Sequence, residues 1–174
     1  MNRFGIRRQL RHFGNFVVPI EFHAILYPTD FSDLSLAALH HARRLADMFD
    51  AQFHCLHVVD DAYQHWSSLG PESVGVAPPP ETGLELAHKR LTEFREEHLT
   101  GLKREPTLHV VMGTPFSQII AYARNHEVGL IVMATHGRSA VAHMLLGSTT
   151  EKVVRKAPCA VLTVRSGGQE FVMP

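Results

Sequence analysis

Residues 130–150 read LIVMATHGRSAVAHMLLGSTT, and this stretch decides the fold. The run from 130 to 133 is apolar throughout, which predicts a strand buried on both faces of a sheet. A helix is predicted at 149–156, shortly after Gly147. A buried strand followed by a loop and a helix is the unit from which parallel α/β sheets are built.

The same alternation continues in both directions along the chain. Further strands are predicted at 24–29, 53–59, 107–112 and 160–164. Further helices are predicted at 84–99, from Pro115 onward, and after Ser32, which can cap the helix with Asp33 in its first turn. The sequence therefore predicts a three-layer α/β/α fold with a five-stranded parallel sheet, of the Rossmann-like class.

The length and charge of the chain limit the possible classes of protein. Its 174 residues suit one domain, and 17 lysine and arginine residues balance 17 aspartate and glutamate residues. This balance argues against a strongly basic nucleic-acid-binding domain. The first 20 residues hold four arginines and no acid. We expect a flexible basic extension at 1–22, one domain at 23–166 and a tail at 167–174. The alternatives for the extension are a basic arm that touches a membrane or nucleic acid, and a targeting peptide.

Two observations bear on the compartment. No stretch approaches the roughly 18–20 apolar residues that span a bilayer. Cys55 and Cys159 lie in apolar runs and are expected to be buried free thiols, which fits a reducing compartment. The prediction is a cytoplasmic protein without a membrane span.

Residues 60–82 differ from the rest of the chain because they are rich in glycine and proline. A connection of that length is usually a functional lid or a disordered segment. Trp66 within it is expected to cover the site or to anchor a partner, and local packing is the alternative.

The predicted topology brings three segments to one edge of the sheet. In such sheets a ligand binds beyond the carboxyl ends of the strands, where the strand order reverses. Asp30 follows the first predicted strand, residues 58–61 end the second, and residues 134–137 follow the fourth. We expect these segments to line one crevice.

The loop after the fourth strand has the chemistry of a phosphate site. Gly137 and Gly147 are separated by nine residues, and Gly147 comes just before the helix. Glycine lets the backbone approach a ligand closely, and free N–H groups in a first helical turn bind anions. Ser148 and Thr150 add hydroxyl groups. The alternative is structural, with Ser148 and Glu151 forming an S-x-x-E capping box after a simple turn at Gly147.

Several separated segments together resemble the universal stress protein family. The ATP-binding members of that family carry the pattern G-x2-G-x9-G-(S/T), which residues 134–148 match except at Ala134. ILYPTDFS at 25–32, HVVD at 57–60 and APCAVLTV at 157–164 resemble the family's first strand, second strand end and last strand. The resemblance covers about residues 22–166.

The resemblance implies an adenine nucleotide alpha hydrolase-like fold that binds ATP, with Mg²⁺ or Mn²⁺ held through the phosphates. Asp30 and Val58 would contact the nucleoside, and the loop and the glycine-serine turn would wrap the ribose and phosphates. The implied cofactor-binding residues are Pro28, Thr29, Asp30, Val58, Met133, Ala134, His136, Gly137, Gly147, Ser148, Thr149 and Thr150. The resemblance further implies that the protein is a nucleotide-responsive regulator of stress tolerance. It also implies a homodimer formed through residues 160–164.

Ala134 stands where the family pattern has its first glycine. If that position needs a positive φ, alanine costs about 1 kcal/mol. If it needs close approach, the methyl group intrudes on the nucleotide; if it is simply extended, alanine is harmless. A non-binding homodimeric interaction module with a degenerate nucleotide site is therefore the alternative function. A hydrolase or transferase on a related fold is the third.

Metal-dependent and nucleophilic catalysis find little support. The 13 histidines include the close pairs His40–His41, His54–His57 and His136–His143, but adjacent helical positions point to different faces and strand positions three apart face opposite sides. No dedicated transition-metal site is expected. No serine lies in a nucleophile elbow and the Walker lysine pattern is missing, so slow ATP hydrolysis is the most that is expected.

Overall fold

The computed structural model describes residues 12–13, 16–17, 21–60, 80–136 and 146–165. Two short antiparallel strands come first, β1 (His12–Phe13) and β2 (Phe16–Val17), in a segment for which the sequence predicted no strand. The central sheet contains five parallel strands in the order β5-β4-β3-β6-β7. In chain order they are β3 (Ala24–Thr29), β4 (Gln52–Val59), β5 (Thr107–Met112), β6 (Leu130–Ala134) and β7 (Ala160–Val164).

Among the described residues, four helices cover the two faces of the sheet. They are α1 (Asp33–Phe49), α2 (Pro80–His98), α3 (Pro115–Asn125) and α4 (Ser148–Lys156). One buried cluster joins Tyr27 and Val132 to α1 and α2, and a second joins Leu26 and Ile131 to α3 and α4. Successive strand residues therefore enter opposite cores, which is why β6 is apolar throughout. The predicted three-layer fold with a five-stranded parallel sheet is confirmed.

The helix ends follow from local chemistry. Ser32 is the N-cap of α1, and its Oγ accepts a hydrogen bond from the Ser35 N–H at 3.2 Å, as predicted. Pro115 occupies the first turn of α3, where its missing N–H costs nothing. The helix predicted at 84–99 instead begins at Pro80, because a proline is favourable in a first turn.

The strand order reverses between β3 and β6. From β3 the chain proceeds outward to β4 and β5, and then returns to the other side of β3 for β6 and β7. β3 pairs with β4 at six positions but with β6 only at Ile25–Leu130 and Leu26–Ile131, near the amino ends of both strands. The carboxyl ends of β3 and β6, which do not pair with each other, flank the ligand crevice expected for this topology.

Two details of the sequence analysis are wrong. The helix predicted at 149–156 begins one residue earlier, and the capping box that was the structural alternative does not form, because Gly147 is the N-cap of α4 and its carbonyl accepts the Glu151 N–H at 2.9 Å. Ser148 is thus the first helical residue.

Cys159 is half-buried, since it precedes an edge strand, whereas Cys55 is buried; both are free thiols. No helix among the described residues has the length and apolar character needed to cross a membrane.

Candidate functional site

The end of β6 and the start of α4 are joined by two hydrogen bonds. The Gly147 N–H donates to the Thr135 carbonyl at 2.7 Å, and the Thr150 hydroxyl donates to the Ala134 carbonyl at 3.0 Å. Thr135 and Thr150 are both buried. The two ends of the loop therefore meet, and the first turn of α4 is fixed beside the crevice between β3 and β6.

Gly147 is required for space and not for its backbone angles. Its φ of −65° and ψ of 152° are open to any residue. A Cβ atom at this position would lie 3.3 Å from the Thr135 carbonyl oxygen and 3.6 Å from the His136 Cα. The turn is therefore too tight for a larger side chain to enter without movement of its neighbour.

Within the described part of the chain, no side chain caps the first turn of α4. Gly147 has no side-chain oxygen that could accept from these N–H groups, and Ser148 is exposed within the helix. Glu151 lies in the first turn of α4, where its charge suits the helix dipole, and Lys152 follows it; Arg155 and Lys156 lie in the last turn. Backbone N–H groups at such a terminus are suited to bind an anion.

Ala134 adopts an extended conformation. It is the last residue of β6, it pairs with Val164 of β7, and it is not among the described residues with positive φ. Its side chain is 7% exposed and belongs to the core shared with α1. Of the three cases left open by the sequence, the positive-φ case is excluded, and the methyl group packs in the protein core.

The end of β3 turns sharply through hydrogen bonds from its own side chains. Asp30 Oδ1 accepts from the Ser32 N–H at 3.1 Å and from the Ser32 hydroxyl at 2.6 Å. The buried Thr29 Oγ1 accepts the Phe31 N–H at 3.0 Å. These short-range bonds are typical of aspartate and threonine turns, and they hold the half-buried Asp30 at the carboxyl edge of the sheet.

Phe31 is a residue that the sequence analysis missed. Its φ of 60° lies in the left-handed region, which is unusual for a bulky side chain. The Phe31 ring packs between two neighbours that compensate for this conformation. Its centroid lies 4.3 Å from the centroid of the His57 ring and 4.8 Å from the guanidinium carbon of Arg90. His57 Nδ1 lies 2.8 Å from the Thr29 carbonyl oxygen. The turn residues T-D-F-S indicated a turn, but no local signal indicated a left-handed phenylalanine.

A buried hydroxyl network supports this turn from beneath. The Tyr27 hydroxyl donates to the Ser35 carbonyl at 3.0 Å, and Thr29 Oγ1 lies 3.1 Å from Ser35 Oγ. Burial raises the pKa of Tyr27 to about 12, so its hydroxyl stays protonated at neutral pH. The network fixes the end of β3 against the start of α1.

The predicted site residues fall into three groups. Asp30, Val58, His136, Gly147, Ser148 and Thr149 are at least partly exposed at the ends of their elements, and Pro28 is half-buried beside them. Thr29, Met133, Ala134 and Thr150 are buried. The hydroxyl proton of Thr150 is committed to Ala134, so this residue supports the turn. Gly137, together with His143 and Trp66, lies outside the described residues.

No cluster of three or more histidine, cysteine, aspartate or glutamate side chains within the described part of the chain could hold a metal ion. His54 and His57 face opposite sides of β4, as predicted from their spacing, because His54 contacts Tyr122 of α3 and His57 contacts Phe31. His136 Nδ1 lies 3.1 Å from the Thr135 hydroxyl oxygen. A metal at the crevice would therefore need ligands from a bound phosphate and water.

Comparison with known proteins gives a consistent result. The model of the universal stress protein family matches residues 21–165. Universal stress protein MJ0531 of Methanocaldococcus jannaschii is 34% identical over 156 residues, which cover 86% of this chain and 85% of that protein. The solved structure of MJ0577 from the same organism superposes with a TM-score of 0.72 at 27% identity, covering 86% of this chain and 100% of the other.

A universal stress protein solved in complex with cAMP has the same fold, with a TM-score of 0.62 and 21% identity, covering 83% of this chain and 98% of that one. The family model spans all five parallel strands and the turn at Gly147. The sequence match and the strand order lead to the same conclusion: the chain belongs to the universal stress protein family.

Proposed function

We propose that this chain binds ATP in the crevice between β3 and β6, and that nucleotide occupancy regulates its contacts during stress. The observation that carries the proposal is the first turn of α4, which has no side-chain cap and is fixed beside the strand reversal. Anions bind at such helix ends, and ligands of open α/β sheets bind at such reversals.

The phosphates are assigned to the start of α4. The backbone N–H groups of Ser148 and Thr149 are in the first turn, and the exposed Ser148 hydroxyl adds a donor. Gly147 presents no side chain, so a phosphate can approach the backbone closely. Mg²⁺ or Mn²⁺ would bind with the phosphates, since the described residues offer no carboxylate cage.

The nucleoside is assigned to the opposite side of the crevice. Asp30 is held there by Ser32, and Val58 follows His57 at the end of the neighbouring strand β4. A carboxylate accepts hydrogen bonds from an adenine amino group or a ribose hydroxyl, and a valine offers an apolar surface to the base. His136, half-buried after β6, is assigned to the ribose or phosphate side, together with Gly137.

The choice of an adenine nucleotide is supported by a relative. A universal stress protein of this fold was solved with cAMP, which has the same base and ribose as ATP. The extended conformation of Ala134 removes the backbone objection to binding that the sequence raised. We also propose a cytoplasmic location, which the two free thiols support.

A homodimer through β7 completes the proposal. Among the described strands, β7 pairs with β6 on one side only. The exposed side chains Leu162 of β7 and Val154 of α4 are 36% and 45% accessible. Exposed edge strands with apolar side chains are usually paired or covered, so a second copy of the chain is the proposed partner.

Calorimetric titration with Mg-ATP tests the nucleotide proposal. The wild-type protein is expected to release heat, and Gly147→Val is expected to lose it while keeping a cooperative unfolding transition, because its side chain meets the Thr135 carbonyl. Ser148→Ala is the matched control, since it retains every backbone N–H and should bind only a few-fold more weakly. A titration with cAMP under the same conditions compares the affinity for a cyclic monophosphate with the affinity for a triphosphate.

No heat and no competition at millimolar Mg-ATP with the wild-type protein would overturn the proposal. Unchanged affinity in Gly147→Val would place the phosphates away from α4. Equal loss in Gly147→Val and Ser148→Ala would assign the binding to the hydroxyl group instead of the backbone.

A further inference from the structure

Three histidines surround Tyr122 at the amino edge of the sheet, opposite the nucleotide crevice. His54 comes from β4, His109 from β5, and His126 follows α3, which carries Tyr122. We refer to His54, His109 and His126 as the histidine cluster. Each of the three elements that meet at this corner contributes one imidazole.

The contacts within the cluster are close. His54 Nδ1 lies 2.9 Å from the Tyr122 hydroxyl oxygen. The His126 ring stacks on the Tyr122 ring at 3.8 Å between centroids, and the His109 ring lies 5.0 Å from it. The imidazoles of His54 and His109 are 5.8 Å and 5.6 Å from that of His126. Three rings this close cannot all carry a charge without strong repulsion.

The surroundings do not compensate for such charges. His54 is 8% exposed and Tyr122 is 6% exposed. The charges that act on His54 are those of His126 and His109, and His109 also feels His88 of α2. Arg124 and Glu127, the charged neighbours of His126 along the chain, are exposed. The charges that act on His54 and His109 are therefore those of other imidazoles, beside the neutral Tyr122 hydroxyl that contacts His54.

Protonation also removes a hydrogen-bond acceptor. A neutral His54 with its proton on Nε2 accepts the Tyr122 hydroxyl proton at Nδ1. A protonated ring has two donors and no acceptor, so this arrangement is lost and the Tyr122 hydroxyl would have to turn and accept from Nδ1 instead. Tyr122 stays protonated near neutral pH, because burial raises its pKa to about 12.

We propose that the histidine cluster is a pH-sensitive switch: a neutral His54 holds the last turn of α3 against β4 through Tyr122, and acidification that protonates His54 releases it. Burial, with His126 and His109 adding to it, lowers the pKa of His54 from 6.5 to about 4. Burial also lowers the pKa of His109. Between about pH 6.5 and about pH 4, the unfolded or released form binds more protons than the packed form. The free energy of unfolding therefore falls as the pH falls through this range.

Urea unfolding of the full chain from about pH 7 to about pH 4.5 tests the switch, and it requires no nucleotide. His54→Asn keeps an acceptor near Nδ1 but cannot titrate. One histidine of this kind raises the equilibrium constant for unfolding by up to roughly tenfold for each pH unit of acidification. The pH dependence of the unfolding constant should therefore be steeper in the wild-type protein than in His54→Asn by nearly this amount. His41→Asn, an exposed site on α1, is the matched control and should keep the wild-type slope.

Two further measurements locate the effect. Amide hydrogen exchange of residues 119–126, corrected for intrinsic rates, should accelerate in acid in the wild-type protein more than in His54→Asn. Imidazole NMR of the folded wild-type protein should show His54 still neutral at about pH 5.5, which remains measurable even if the variant does not fold. Identical slopes for wild type and His54→Asn, or a His54 that titrates near 6.5 in the folded protein, would overturn the inference.

Discussion

The Thr150 hydroxyl donates to the Ala134 carbonyl over 3.0 Å, and this buried bond fixes the first turn of α4 to the last residue of β6. The two residues are 16 positions apart in the chain and enclose the whole glycine-containing loop. The bond holds the proposed phosphate site in place from behind, and it does so without using the exposed hydroxyl of Ser148.

Thr150→Val is expected to destabilise the protein by about 1–3 kcal/mol, because the isosteric side chain leaves a buried carbonyl with one donor fewer. Urea unfolding measures the loss. Thr150→Ser keeps the hydroxyl and should recover a large part of it, whereas Thr149→Val, half-buried on the same turn, should cost little. Equal stability of Thr150→Val and wild type would show that the bond is energetically neutral.

Ala134→Gly restores the family pattern, yet we expect no gain in nucleotide affinity. The Ala134 side chain packs in the core and its backbone is extended, so glycine relieves neither a clash nor strain. Glycine within a strand should instead lower stability by about 1 kcal/mol. Parallel titration and unfolding experiments measure both effects. Binding that becomes tenfold tighter would show that the methyl group obstructs the site.

Leu162→Asp is expected to convert a homodimer into a monomer. The substitution places a charge on β7, where Leu162 is 36% exposed at the edge of the sheet. Light scattering coupled to gel filtration gives the mass of each species. Leu86→Asp is the control, because Leu86 of α2 is 62% exposed but lies far along the sheet from β7. A Leu162→Asp protein that remains dimeric would place the interface elsewhere.

The two thiols are expected to differ in reactivity. Burial raises the pKa of both, and Cys55 is fully buried whereas Cys159 is half-buried. Iodoacetamide near neutral pH should therefore modify Cys159 slowly in the native protein, and Cys55 only after unfolding. Peptide mass spectrometry with and without urea distinguishes the sites. Rapid labelling of Cys55 in the native state would indicate that β4 opens readily.

Much of the sheet could be predicted because its strands are short apolar runs bounded by turn residues. The strands at Thr107–Met112 and Ala160–Val164 have the predicted bounds, and β4 begins one residue before the prediction. The edge position of β7 also followed from the predicted topology. The apolar runs and the turn residues that bound these strands are visible in the local sequence, so the strands could be predicted from it.

The site was harder to predict because its geometry depends on distant partners. S-x-x-E suggested a cap at Ser148, but the contact between Gly147 and Thr135 sets the start of α4 one residue earlier. The left-handed Phe31 depends on the His57 ring of β4 and the Arg90 guanidinium of α2. Likewise, nothing in the spacing of His54, His109 and His126 places them around one tyrosine; the packing of α3 on the sheet does.

The sparse pairing of β3 with β6 has a consequence for the lifetime of the protein. These strands join the first three strands of the sheet to the last two, and they pair only at Ile25–Leu130 and Leu26–Ile131. A nucleotide bound across their open ends would clamp the two halves of the chain together, adding about 2.7 kcal/mol at a hundredfold excess over Kd. Cells degrade a protein more slowly when it opens less often. The abundance of the chain would then rise and fall with the nucleotide supply, without any change in its synthesis.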